Sequence, residues 1–170
     1  MIVAIQKAFP NIDENVCLSS INNKHTFVFE DNHLNKGVIV SVSETYHLHI
    51  ENKTNDCFHF LQNDDCVMKN IKGGQCDYVV LNSNNLYFID AKIAKKGKFS
   101  NHRRDAYNQI ENTFKYYSQK INFSINYNLY GMVCFPSKSR IVQSSKSTKR
   151  KEFKLKYRID LREGNYILFE

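Results

Sequence analysis

The chain has 170 residues, 42% hydrophobic and 24% charged, the balance of a single soluble domain (1–170) long enough to bury a core. No apolar run approaches the roughly 20 residues of a membrane span. The opening Met1-Ile2-Val3-Ala4-Ile5 breaks at Gln6-Lys7 without the long apolar stretch of a signal peptide, so no membrane association and a cytoplasmic location are expected. The net charge of +7 points to a polyanionic partner, and it is concentrated: residues 137–156 carry eight Lys or Arg against Glu152 alone, so the rest of the chain sums to zero.

In chain order, Ile2–Phe9 reads as a short helix stopped by Pro10, and His25–Glu30 alternates like a strand before the Asp31-Asn32-His33 turn. Residues 36–53 fit two patterns. Val38, Val40, Val42 and Tyr46, Leu48, Ile50 alternate as strands do, while Ile39, Val42 or Ser43, Tyr46 and Ile50 also make a helical stripe. Cys57–Gln62 predicts a strand, followed by an acidic loop with Asp64 and Asp65 and a flexible approach at Lys72-Gly73-Gly74. A basic segment over 94–104 leads into a helix from about Asn101 to Gln119, with Ala106, Ile110, Phe114 and Tyr117 as its buried stripe. Leu129–Phe135 predicts a buried strand. The Ser- and Lys-rich stretch that follows reads equally as a solvated loop or a phosphate-gripping arm. Tyr157–Leu161 and Tyr166–Phe169 predict a closing hairpin (157–169) around Glu163-Gly164-Asn165. The five cysteines form no CxxC pair and leave one over in any pairing scheme, so reduced thiols are expected.

The most informative stretch is Cys76–Ile93, CDYVVLNSNNLYFIDAKI. Two apolar runs flank the polar Asn82-Ser83-Asn84-Asn85, which predicts a β-hairpin. With Ser83 and Asn84 at the turn, Leu81 pairs with Leu86, Val79 with Phe88 and Asp77 with Asp90. Alternation then puts Asp77, Asp90 and Lys92 on one face with the two carboxylates opposed. Like charges at that separation repel, and a divalent metal is the obvious counter-ion.

Asp77, then Asp90-Ala91-Lys92 on a strand, then a helix carrying Gln109 and Tyr116, resembles the PD-(D/E)xK nuclease superfamily, and GGQCDYVVL…LYFIDAK is most similar to its resolvase-like and NERD-type members. The tripeptide alone says little, since Asp/Glu-x-Lys occurs at 51–53, 90–92 and 152–154, and only the middle copy sits on an apolar strand opposite another acid. The resemblance implies an α/β fold with a restriction-endonuclease-like αβββαβ core over about 36–135, a mixed central sheet with flanking helices and extra β-hairpins. It implies metal-dependent hydrolysis of nucleic acid, DNA favoured, with Mg²⁺ (or Mn²⁺) held by Asp77, Asp90 and the Ala91 carbonyl and with Lys92 as catalytic lysine. Two positions depart from the family pattern: Cys76 replaces the usual Pro, and Asp90 the usual Glu. The first-helix acid has its best match in Glu44, with Glu51 as fallback, provided residues 37–51 are helical. Lys95, Lys96, Arg103, Arg104 and Gln109, with Lys149, Arg150 and Lys151 further on, are the candidate nucleic-acid contacts. A chain of this size has little room for a separate specificity domain, so a homodimer or a larger complex is expected. A non-catalytic nucleic-acid binder of the same fold and a protein-interaction module are the alternatives.

Overall fold

A computed structural model of the chain describes residues 1–10, 12, 16–31, 36–40, 44–54, 56–93, 99–137, 139–143 and 148–170. The first helix, α1 (Ile2–Ala8), ends ahead of Pro10 as expected. The strands β1 (Leu18–Ile21), β2 (His25–Asp31), β3 (Lys36–Ile39), β4 (Leu48–Asn52) and β5 (Phe58–Gln62) follow. A single π-helical turn over Asn63–Val67 then leads to β6 (Tyr78–Leu81) and β7 (Asn85–Ala91). The long helix α2 (Phe99–Ser118) carries the chain to β8 (Asn128–Cys134), and β9 (Val142–Gln143), α3 (Thr148–Tyr157), β10 (Ile159–Gly164) and β11 (Tyr166–Phe169) complete it. The described residues thus form a mixed α/β fold of three α-helices and two mixed sheets. None of these helices is long and apolar enough to cross a membrane.

The larger sheet has the strand order β1-β5-β6-β7-β8-β10-β9. Its strands β5, β6 and β7 form an antiparallel meander, and β7, β8 and β10 run parallel, joined by crossovers that contain α2 and α3. The smaller sheet, ordered β11-β4-β2-β3, packs on one face of the larger through Val28, Leu48, Ile50, Ile167 and Phe169. The other face is covered by α2, which buries Ala106, Tyr107, Ile110, Thr113 and Tyr117. Strands covered on both faces need apolar residues in every position, and β6 and most of β7 meet that need.

Four expectations are overturned. Residues 36–39 and 48–52 are strands, so the β-branched alternation prevails and no helix carries Glu44, which lies exposed on a bend. The lysine-rich stretch is not a loop over 148–157: α3 turns Phe153 and Tyr157, four residues apart, into the core. The closing hairpin does not form. β10 joins the larger sheet beside β8 and β11 joins the smaller beside β4, and Gly164-Asn165 is a crossing between sheets. Asn165 is fully buried there, accepting from the Ile141 N–H at 2.6 Å and donating from Nδ2 to the Ser139 carbonyl at 3.3 Å. Finally, Cys17 and Cys66 form a disulfide with a Cα–Cα distance of 5.8 Å, against the all-thiol expectation, while Cys57, Cys76 and Cys134 are free.

Candidate active site

The β6–β7 hairpin has the expected register, Tyr78↔Ile89 through Leu81↔Leu86. Its turn is held by Asn82, whose Oδ1 accepts from the backbone N–H groups of Asn84 (3.0 Å) and Asn85 (2.9 Å). Asp77 precedes β6 and Asp90 lies near the end of β7, so the two meet across the open end of the hairpin. Asp77 Oδ2 accepts from the Ala91 N–H at 2.5 Å. Lys92 Nζ sits 2.8 Å from Asp90 Oδ2 and donates to Gln109 Oε1 at 2.6 Å. Alternation thus brings Asp77, Asp90 and Lys92 together, and α2 adds Gln109.

The surrounding contacts explain how α2 and the π-turn hold this arrangement. Thr113, one turn beyond Gln109, accepts from the Cys76 N–H at 2.9 Å and ties α2 to the approach to β6. Asn112 Nδ2 donates to the Gly73 carbonyl at 2.5 Å. Gly74 has φ +75°, and a Cβ there would lie 3.3 Å from Gln109 Cγ, so a side chain would be strained and would crowd the residue that holds Lys92. On the other flank Asn63 is fully buried, donating to the Cys76 carbonyl (2.7 Å) and accepting from the Tyr117 hydroxyl (2.9 Å). Its backbone N–H donates to the Asp77 carbonyl at 2.7 Å.

Electrostatically the site is unsettled. Asp90 is fully buried; its Oδ1 meets no donor among the described residues, and Oδ2 meets the Lys92 ammonium off the ideal hydrogen-bond angle. Burial pushes Asp90 up to about 7, and the opposing pull of Lys92 does not win. Asp77 is raised well above the carboxylate range by burial and then by Asp90. Burial alone would lower Lys92, but the two carboxylates reverse this and leave its pKa raised, so the ammonium stays charged.

The chain matches no family model, and no curated protein or solved structure matches it either.

Asp64 in the π-turn also acts on the site, raising both Asp77 and Asp90, and Glu30 of β2 raises Asp90. Sequence reasoning noted Asp64 only as part of an acidic loop. The missing signal was the pairing of β5 with β6: Gln62 lies opposite Tyr78, which brings the residues after β5 level with those before β6. Neither acid on which a third carboxylate was expected stands on a helix. Glu51 is on β4, where its carboxylate accepts from the Tyr166 hydroxyl at 2.7 Å and lies 3.8 Å from Arg140.

The expected basic contacts divide. Arg103 pairs with the buried Glu163 at 2.7 Å, Lys149 with Glu152 at 2.9 Å, and Arg150 with Asp160 at 2.7 Å. Arg104 and Lys151 are exposed. Lys95 and Lys96 lie outside the described residues. Among the described residues, no group of three or more His, Cys, Asp or Glu is arranged to hold a metal ion.

Proposed function

We propose that the chain is a divalent-metal-dependent nuclease that hydrolyses phosphodiester bonds, with DNA the favoured substrate. The observation that carries this reading is Asp90: a fully buried carboxylate beside a second one, with Oδ1 lacking a donor among the described residues. Buried polar atoms are nearly always satisfied, and an exception calls for a ligand or a task. Carboxylate oxygens suit a hard cation such as Mg²⁺ or Mn²⁺. Asp77 and Asp90 would hold it, with the Ala91 carbonyl added by the resemblance. Bound there, the ion would polarise a phosphoryl oxygen and lower the pKa of water.

The chain's own residues supply the rest. Lys92 donates one Nζ proton to Gln109 and is ion-paired with Asp90, which leaves it a proton to donate elsewhere. That proton would orient an attacking water, or the ammonium would offset charge developing on the phosphoryl group. Asp64 acts on both carboxylates through its charge but does not join them in a three-residue ligand set. The order β5, β6, β7, α2, β8 supports the reading, because an antiparallel meander followed by a helical crossover to a parallel strand resembles the βββαβ part of the nuclease core. Arg104 and Lys151 remain the exposed candidates for phosphate contact. The non-catalytic binder is the second reading, favoured by the absence of a three-residue ligand set among the described residues.

Cleavage of labelled DNA and RNA substrates, duplex and single-stranded, tests the proposal with Mg²⁺, Mn²⁺ or EDTA present. Metal-dependent cutting is expected for the wild type and lost in both Asp90→Ala and Lys92→Ala. Cutting that persists in the variants overturns the assignment, and salt-sensitive binding without cutting transfers it to the second reading.

A further inference from the structure

At the opposite end of the parallel strands of the larger sheet from Asp90 lies a cavity of about 300 Å³ whose walls come from β8, α3, β10 and the loop before β8. Asn128, on its wall, pairs with Asn85 at the start of β7, whereas Asp90 pairs with Val133 five residues further along. At about 3.3 Å per residue, the two places are roughly 16 Å apart along the strands.

Three cations line this cavity: Lys154, Arg158 and Arg162. Its lone lining carboxylate, Asp160, is already engaged, with Arg150 Nε at 2.7 Å and Arg162 Nε at 3.2 Å. Lys154 and Arg158 are exposed and pair with no carboxylate among the described residues. Arg158 is also held in position. It has φ +62°, a left-handed backbone that is uncommon outside glycine, and its Nη2 donates to the Ile125 carbonyl at 2.8 Å. Arg162 is held as well: its guanidinium lies 4.2 Å from the Tyr130 ring, which itself stacks on Tyr87 at 4.4 Å. The C-terminal end of α3 contributes about half a negative charge nearby, which the three cations exceed.

We propose that this cavity is a second site, one that binds a phosphate group. Its chemistry is that of anion capture: guanidinium groups held in place by their neighbours and an exposed ammonium. A phosphate held there is not the one beside Asp90, so the site acts as an anchor rather than as part of the cleavage centre. The phosphate belongs either to a nucleic-acid backbone or to a free nucleotide. The proposal does not depend on cleavage.

Two probes, measured in EDTA, distinguish the sources: a fluorescein-labelled 20-base-pair duplex followed by anisotropy at several salt concentrations, and adenosine 5′-monophosphate followed by calorimetry. The variant Lys154→Glu/Arg162→Gln is compared with Lys24→Glu, which changes an exposed charge on the smaller-sheet side. For a backbone phosphate, the double variant binds duplex at least tenfold more weakly, with a salt slope about two units shallower, while Lys24→Glu changes affinity less than threefold. For a free nucleotide, the wild type binds the monophosphate and the double variant does not. The proposal fails if the folded double variant binds both probes like the wild type, or if the wild type binds neither. Should the double variant unfold, Lys154→Ala alone decides: a severalfold loss of binding supports the site, and unchanged binding overturns it.

Discussion

Replacing Asp90 by Asn is expected to stabilise the protein while abolishing the proposed activity. Asn matches the shape of Asp, retains no charge and removes the repulsion with Asp77. Because the folded-state pKa of Asp90 is raised from 3.8 to about 7, the folded protein holds a proton that the unfolded chain releases across that window. Stability is therefore present at low pH and is lost as pH rises from about 4 through 7. At about 1.4 kcal/mol per pKa unit, the ceiling is about 4 kcal/mol at pH 8. Asn also deprives Lys92 of one partner, but the Gln109 bond remains and Asp77 is freed to ionise beside it. This cost reduces the expected gain to about 1–2 kcal/mol, or roughly 3–6 °C in Tm for a chain of this size. Thermal unfolding of wild type and variant in EDTA, from pH 4.5 to 8, reads it directly. The difference should grow with pH and be smallest at pH 4.5. Adding Mg²⁺ at pH 8 should raise the wild type and leave the variant unmoved. A variant no more stable than wild type at pH 8 would mean that Lys92 alone satisfies Asp90, and the argument for a ligand would lose its basis.

Lys92→Ala should act in the opposite sense, leaving Asp90 buried without its cation, at a cost of about 3 kcal/mol at pH 8 that shrinks toward pH 5 as Asp90 takes up a proton; urea midpoints at the two pH values check this. Asn63→Ala strands the Tyr117 hydroxyl and the Cys76 carbonyl in the core and should cost on the order of 2–3 kcal/mol, so an unchanged urea midpoint would refute the role given to this side chain. The Cys17–Cys66 bond spans 49 residues, so its removal in Cys17→Ser/Cys66→Ser should cost up to about 4 kcal/mol, with dithiothreitol giving a similar loss in the wild type and none in the variant.

What was legible in the sequence was local. Asn82 caps its own turn, so the register of β6 against β7, and with it the meeting of Asp77, Asp90 and Lys92, follows from residues at most 15 apart. The stripe of α2 was readable at Ala106, Ile110 and Tyr117, but Phe114 is only partly buried, and Tyr107 and Thr113 take buried places, Thr113 with a bond to Cys76. What was missed depends on partners distant in the chain. Asp64 comes near the site through the pairing of β5 with β6, and nothing near Cys17 announces Cys66. In α3 only Phe153 and Tyr157 are buried, too sparse a stripe to show through the lysines. The Glu163-Gly164-Asn165 punctuation was read as a hairpin turn, whereas the chain passes there from one sheet to the other. A hairpin and a transfer between sheets use the same residues, and the choice is made by the edges waiting at β8 and β4.

That transfer has a consequence for how the protein is made. The strand β4 (Leu48–Asn52) receives β11 (Tyr166–Phe169), and β8 receives β10, only after synthesis has passed residues 159–169. Until then both sheets present open edges that invite pairing with other chains. Pairings across more than 100 residues also place most of the loop-closure cost before the contacts that repay it. Truncation before Ile159 would therefore expose an edge on each sheet at once, and nascent or refolding chains should aggregate unless kept dilute.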